Sequence, residues 1–181
     1  ASSGGAAIFT AYGGTMSVIN STFNGNSTGY YGSAIRNFSG TALTLDYVTI
    51  SGNSSTGIDG ALATQQDATT SVKNSVIAGD TGYDCWNDSA ANFTDEGNNF
   101  FGDSSCGRSG NGNPQLNALG YNGGPTQTMV PLKSSPVINA AACEATVTTD
   151  QRGLVRPQGT GCDIGAVEVE ASLFANGFEG P

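Results

Sequence analysis

The stretch STFNGNSTG at residues 21–29 returns as VTISGNSST at residues 48–56 and as SVIAGDTGY at residues 75–83, a constant step of 27 residues. No insertion or deletion breaks this register across the three copies. A fixed period between about 20 and 50 residues is typical of solenoids, in which each unit buries its apolar face only by stacking on its neighbours. The repeat therefore predicts a stacked array.

Six columns of residues recur at this step, and most of them are apolar. The columns are Ala7, Ala34 and Ala61; Ile8, Ile35 and Leu62; Val18, Leu45 and Val72; Phe23, Ile50 and Ile77; Gly25, Gly52 and Gly79; and Asn26, Asn53 and Asp80. Residues that keep the same place in every unit lie above one another when the units stack, so the aliphatic columns predict a continuous core. We expect the Asn and Asp column to lie at a corner of each coil, with left-handed backbone and a hydrogen bond to the neighbouring coil.

The spacing within a unit is that of β-strands. In the second unit, Leu43 and Leu45 flank a threonine, and Val48 and Ile50 flank another. A period of two with β-branched residues indicates short strands, and the Gly-Asn, Ser-Gly and Gly-Asp pairs indicate turns. Stacked identical units give parallel, in-register strands about 4.8 Å apart. We therefore predict an all-β fold, a parallel β-helix (β-solenoid) with about three regular rungs of 27 residues.

Composition argues against several classes of partner. The 181 residues carry a formal net charge of −9, with 12% charged residues and no histidine. A chain this acidic offers no basic patch for nucleic acid and is repelled by anionic membranes. Since no apolar run approaches the ~20 residues that cross a bilayer, we expect no membrane insertion. The chain begins inside a unit (ASSGGAAIF), and we interpret it as a processed or trimmed chain.

Four cysteines lie outside the regular repeats, at Cys85, Cys106, Cys143 and Cys162. No CxxC pair and no histidine offers a zinc site. Four cysteines allow three disulfide pairings, of which we favour the two sequential ones, 85–106 and 143–162. Each would close a loop of about 20 residues, which stabilises a fold by about 3 kcal/mol. Disulfides predict an oxidising compartment outside the cytosol.

The repeat fades after residue 80. We divide the single domain into β-helix repeats at 1–80, irregular rungs and a C-terminal cap at 81–170, and a tail at 171–181. Residues 81–113 look like loop with an apolar island at Phe100–Phe101. A solenoid needs an end cap because its last rung otherwise exposes apolar surface and an unpaired edge. We expect an irregular, disulfide-stapled C-terminal segment to form that cap.

The C-terminal third also carries a family resemblance. The run GNPQLNALGYNGGPTQTMVPLKSSPVINAA, followed by TDQRGLVRPQG and CDIGAVE, resembles the C-terminal region of the bacterial choice-of-anchor Q family, and the upstream units resemble the repeats of that family. The resemblance covers residues 4–168 and implies a right-handed parallel β-helix on a bacterial cell surface or in the secreted fraction. It implies no catalytic residues. The tail ASLFANGFEGP resembles the short tails of some secreted bacterial proteins.

The densest polar cluster of the C-terminal segment contains Asp150, Arg152, Arg156 and Asp163, with Glu168 nearby. Arginine is well suited to bidentate contacts with a carboxylate, so one interpretation is a binding site for acidic sugars. The other is an ion network that holds the cap together, because structural ion pairs also cluster charges. We favour the structural network.

Parallel β-helices also occur in polysaccharide lyases and hydrolases, whose catalytic residues form recognisable patterns. Glycoside hydrolysis needs two positioned carboxylates, and a lyase needs a Lys or Arg base beside acidic groups. The candidate acids form no paired pattern; they are Asp46, Asp59, Asp67, Asp80, Asp84 and Asp88. The basic residues of the repeats, Arg36 and Lys73, fall in different columns. The sequence therefore predicts no catalytic centre.

Two weaker alternatives concern ligands. A structural calcium ion could be held by acids in one loop region, but their spacing is not that of a known calcium loop; they are Asp84, Asp88, Asp95 and Glu96. We otherwise expect no cofactor. Aromatic residues could stack on sugars or cover corners of the solenoid; they are Tyr12, Tyr30, Tyr31, Tyr47, Tyr83 and Trp86. Their alignment along one sheet would favour glycan binding.

We therefore predict a non-enzymatic, extracellular structural or surface protein with a role in adhesion or matrix. An uncapped first rung at Ile8 and Phe9 is a template for another chain, and the tail could dock there through Leu173, Phe174 and Phe178. Such head-to-tail contacts do not close and would propagate into a fibre, so the expected partner is a second copy of the chain. The alternative is a carbohydrate-binding or polysaccharide-degrading β-helix module, with surface glycans as partners.

Overall fold

A computed structural model describes residues 7–56 and 59–170. Within these residues the chain forms fourteen β-strands and no helix. In chain order they are β1 (Ile8–Thr10), β2 (Thr15–Phe23), β3 (Ser27–Thr28), β4 (Ile35–Phe38), β5 (Ala42–Ile50), β6 (Ser54–Ser55), β7 (Leu62–Gln65), β8 (Thr69–Lys73), β9 (Val76–Ile77), β10 (Cys85–Asn87), β11 (Asn92–Gly97), β12 (Phe100–Phe101), β13 (Gly120–Tyr121) and β14 (Gln127–Thr128). The all-β prediction is confirmed.

Twelve of the strands stack coil on coil into parallel sheets, and β13 and β14 form a separate antiparallel hairpin. Sheet A contains β1, β4, β7 and β10 in that order. In sheet B, β2 pairs with β5, and β5 pairs on its other side with β8 and β9, which are followed by β11 and β12. A short third sheet pairs β3 with β6. The chain is therefore a parallel β-solenoid, as the repeat predicts.

The register of sheet A shows where the repeat changes. Ile8 pairs with Ile35 and Ile35 with Leu62, both at the 27-residue step. Leu62 then pairs with Cys85, a step of only 23 residues. The connection from the third to the fourth coil is thus four residues shorter than the earlier ones. This ends the 27-residue repeat in the sequence, although the coils continue to stack. The stretch expected to be loop, 81–113, accordingly contains β10, β11 and β12.

The inward columns of the repeat form a continuous core. Ile35, Leu45, Ile50 and Leu62 are fully buried in it. Phe101 stacks beneath Ile77 in the fourth coil and extends the core by one more layer. Burial of an aliphatic side chain contributes about 1.5–3 kcal/mol, so these columns are the main stabilising element of the solenoid.

The left-handed corners differ from the expectation. The positive φ angles fall on Gly25 (+73°), Gly52 (+73°) and Gly79 (+79°) rather than on the Asn and Asp that follow them. Glycine adopts this region without the steric cost of a Cβ, which explains the glycine column. A second left-handed corner recurs inside sheet B, at Asn20, Tyr47, Asn74 and Asn98.

The C-terminal segment, residues 114–170, lies along the side of the coils. Asn20 in the first coil donates its Nδ2 hydrogen to the Thr149 carbonyl at 2.7 Å. In the third coil the Asn74 carbonyl accepts the N–H of Gly165 at 2.8 Å. A second apolar cluster fills the space between segment and coils, with Tyr47, Val76, Phe100 and Val137 at its centre. The segment therefore braces the stack laterally.

The end of the solenoid is covered by a shorter stretch, residues 102–112. Asn111 donates its backbone N–H to the Phe101 carbonyl at 2.6 Å, and Cys106 joins the main core. From the sequence we expected the whole C-terminal segment to form the cap. The structure divides that role, because residues 102–112 cover the last coil and residues 114–170 run along the flank.

Candidate functional site

Both favoured disulfides are present, Cys85–Cys106 and Cys143–Cys162. The first ties β10 in the fourth coil to the stretch that covers the end of the core. The second closes a loop inside the lateral segment. Disulfides of this kind persist in oxidising compartments, so the protein is suited to an extracellular environment. No helix of the described residues is long and apolar enough to span a membrane.

The four residues of the C-terminal charge cluster lie together in the lateral segment, and Glu168 belongs to the same cluster. The Arg156 guanidinium pairs with the Glu168 carboxylate at 2.7 Å, and both side chains are fully buried, at 0% and 1% exposure. Arg156 also donates to the Gly165 carbonyl at 2.8 Å and lies over the Tyr47 ring, 4.1 Å from its centre. This arginine therefore joins the segment to the second coil.

The carboxylates of the cluster are occupied by backbone donors. Asp150 pairs with Arg152 at 2.8 Å and accepts the N–H groups of Leu154 and Glu168, each at 2.9 Å. Asp163 accepts two N–H groups at 2.7 Å, from Asn139 and Val169. Burial raises the pKa of Asp163 to about 6. The arrangement resembles a structural network far more than a ligand site, because its polar atoms bind the chain itself.

The Asn and Asp column forms a ladder of hydrogen bonds between coils. Asn53 Oδ1 accepts both the backbone N–H and the side-chain N–H of Asn26, at 3.1 and 2.8 Å. Asp80 Oδ1 accepts the same two groups of Asn53, at 2.7 and 2.9 Å. Burial, with the nearby charges of Asp84 and Asp103, raises the pKa of Asp80 to about 7. The ladder thus ends in a carboxyl group that binds a proton near neutral pH.

Three of the four acidic residues considered for calcium binding, Asp84, Asp88 and Asp95, bind other groups of the protein. Asp84 Oδ2 accepts the N–H of Asp103 at 2.8 Å, and burial raises the pKa of Asp84 to about 6. Asp88 accepts backbone N–H groups at a turn, and Asp95 pairs with Arg108 at 3.0 Å. In the part of the chain that the structure describes, no group of three or more acidic, histidine or cysteine residues could hold a metal ion.

The basic residues of the repeats are also engaged. Lys73 lies 2.6 Å from Glu144 and 3.4 Å from Asp46, and the hydrogen bond with Glu144 raises its pKa. A lysine with a raised pKa stays protonated and makes a poor general base. Arg36 is buried among aromatic rings on sheet A, and its Nε donates to Gln65 Oε1 at 2.6 Å.

Aromatic side chains lie on the outer face of sheet A in the first, second and fourth coils. Phe9, Arg36, Ala63 and Trp86 occupy one outward column of the parallel register. The sequence placed Trp86 inside a disulfide loop and did not align it with this column. Of the expected assembly residues, Ile8 and Phe9 lie in β1, the outer strand of sheet A, whereas Leu173, Phe174 and Phe178 lie outside the described residues.

Tyr31 joins the coils of this face to one another. Its ring stacks on the Trp86 ring at 4.4 Å between centres, and it lies 5.5 Å from the Arg36 guanidinium. Tyr47, in contrast, is fully buried against the lateral segment. The aromatic residues therefore divide into a structural member and an outward-facing group. This face is the candidate functional surface of the molecule.

Comparison with known proteins gives no relative: no family model matches the chain, and neither does any curated protein or solved structure. The resemblance to the choice-of-anchor Q family stays a prediction.

Proposed function

We propose that the protein is a non-enzymatic, extracellular structural β-solenoid of bacterial origin, with a role in surface adhesion or in a matrix. The observation that carries this proposal is the use made of the charged residues. Glu168, Arg156 and Asp150 are buried and bonded to one another or to backbone groups. Lys73 bridges the third coil to the lateral segment through Glu144. These groups stiffen the stack of coils and leave no free pair of acid and base among them.

Assembly into fibres is the second part of the proposal. Among the described residues, β1 and β2 each pair with a neighbour on one side only, which leaves a row of backbone groups at the first coil. Phe9 at this end is 46% exposed. At the opposite end β10 and β11 also pair on one side only, but residues 102–112 cover the core there, so direct coil-on-coil stacking would have to displace them. We propose instead that the tail of one molecule, through Leu173, Phe174 and Phe178, docks on the first coil of the next.

Negative-stain electron microscopy of the non-reduced protein at neutral pH tests assembly. We expect filaments from the full chain, and their loss when the chain is shortened to end at Glu170. Replacing Ile8 by Lys in β1 should also abolish them, while Tyr121→Lys on the exposed hairpin β13–β14 should not. Monomeric particles of the full chain at every concentration would contradict assembly.

The non-enzymatic part has its own test. Incubation of the protein with a panel of neutral and acidic polysaccharides should release neither reducing ends nor unsaturated products. Release of either product, abolished by a substitution at Asp46 or Lys73, would overturn the assignment. The two tests are independent, because a fibre-forming protein could still turn out to be an enzyme and a monomeric one could lack activity.

A further inference from the structure

Phe9 and Trp86 of the outward column of sheet A, together with Tyr31 and Phe38 beside it, form a platform of rings. Successive strands of a parallel sheet are about 4.8 Å apart, so the four coils from Phe9 to Trp86 span about 14 Å. Ala63 lies between Arg36 and Trp86 in the register and is fully buried. Because alanine is small, the Tyr31 ring can cross above it and reach both neighbours.

Contacts with a buried arginine hold the rings of the platform in place. The Arg36 guanidinium lies 5.4 Å from the centre of the Phe9 ring, 5.5 Å from Tyr31 and 4.7 Å from Phe38. Attraction between a cation and a ring face is strongest where water is excluded, and Arg36 is buried. Rings fixed in this way lose little conformational entropy on binding a ligand, which is the main advantage of a preorganised surface.

Beside Trp86 the platform opens into a groove of about 370 Å³. Tyr83, whose side chain is 45% exposed, and Trp86 supply its rings. Asn87, Asp103 and Ser104 supply amide, carboxylate and hydroxyl groups. The groove contains neither a basic nor an aliphatic residue. Its lining thus combines flat apolar faces with donors and acceptors of hydrogen bonds.

We propose that this groove and the adjoining ring platform bind a neutral oligosaccharide. A pyranose ring presents C–H groups on its faces and hydroxyl groups at its edge, which matches rings flanked by polar side chains. An acidic saccharide is disfavoured, because the Asp103 carboxylate lines the groove and the chain carries a net charge of −9. A second copy of the chain is a poorer fit, since the groove offers no aliphatic side chain to bury.

The binding site contains its own reporter, because Trp86 is the only tryptophan of the chain. Tryptophan fluorescence is followed while cellopentaose, mannopentaose or chitopentaose is added to the full protein, with trigalacturonate as the acidic probe. We expect at least one neutral probe to give a saturable change, and trigalacturonate to give none. If no neutral probe alters the emission at millimolar concentration, the proposal is overturned.

Two matched variants locate the binding. Tyr83→Ala removes a half-exposed ring of the groove, and the loss of one aromatic contact should lower the affinity about two- to twelvefold. Tyr121→Ala removes an exposed tyrosine on the hairpin β13–β14 and should leave affinity unchanged. Equal affinity in wild type and Tyr83→Ala would refute the assignment. The assignment would also be refuted if light scattering showed a dimer and the change in Trp86 emission followed dimer formation instead of saccharide binding.

Discussion

The ladder that ends at Asp80 makes stability depend on pH in a defined direction. The pKa of Asp80 rises from an ordinary value of 3.8 to about 7, chiefly because the carboxyl group is buried. Its Oδ1 accepts two hydrogen bonds from Asn53, whereas its Oδ2 has no hydrogen-bond partner in the described residues. The folded protein therefore binds a proton here more tightly than the unfolded chain does.

A carboxyl group whose pKa is raised by folding contributes stability at low pH and loses it as pH rises through the folded pKa. Asp80→Asn keeps the Oδ1 acceptor, repeats the residue found at Asn26 and Asn53, and removes the titration. From the two pKa values, the stability of the variant relative to wild type should increase by about 3 kcal/mol as the pH rises from about 4.5 to about 8. Replacing the unpartnered Oδ2 by an amide nitrogen also changes the free energy of unfolding, but by an amount that does not depend on pH.

Urea unfolding with the disulfides intact, followed by Trp86 fluorescence and far-UV circular dichroism, measures the two curves. Asp67→Asn is the matched control, because it makes the same charge change at an exposed residue between β7 and β8. The control should run parallel to wild type across the pH range. An offset between Asp80→Asn and wild type that stays constant with pH, or that shrinks as pH rises, would refute the reasoning.

Two further substitutions test the brace and the short connection. Glu168→Gln leaves the buried Arg156 without its counter-charge and should lower the free energy of unfolding by about 3–5 kcal/mol. As the control, Arg108→Gln in the exposed pair with Asp95 should lower it by about 1 kcal/mol or less. Equal losses in urea unfolding would contradict the structural role of the buried pair. Gly60→Ala places a Cβ 2.3 Å from the backbone carbonyl carbon of Cys85. The third and fourth coils must then move apart, which should lower the free energy of unfolding by about 1–3 kcal/mol. An unchanged thermal midpoint would show that the two coils are not in contact there.

The features that followed from the sequence are those that the repeat itself specifies. Ile35 and Leu62 were assigned to the core because a parallel stack keeps equivalent residues in register, and the same argument identified the Asn26–Asn53–Asp80 ladder. The left-handed corners were misassigned by one residue, since Asn and Gly both tolerate positive φ and the pattern does not separate them.

No pattern in the sequence predicted that residues 114–170 lie along the flank of the coils. Two of the contacts of this segment start from Asn20, which bonds with Thr149 and with Arg156, at sequence separations of 129 and 136. Each contact is a single hydrogen bond made by a segment of irregular backbone. No period or hydrophobic alternation marks such contacts in a sequence. The charge cluster was recognised by its residue types, but its position on the flank depends on this non-local pairing.

The shortened connection before β10 is the feature that links the fold to the candidate binding surface. At the regular step of 27 residues, the residue after Ala63 in the outward column would be Ala90, and no ring would lie there. The loss of four residues instead brings Trp86 into that column, in register with Ala63, and places its neighbour Cys85 in the core beside its disulfide partner. The same change that hides the fourth coil from a search for periodicity therefore creates both the end staple and the groove beside Trp86. An irregularity in a solenoid repeat is in this case the position at which a binding surface is expected.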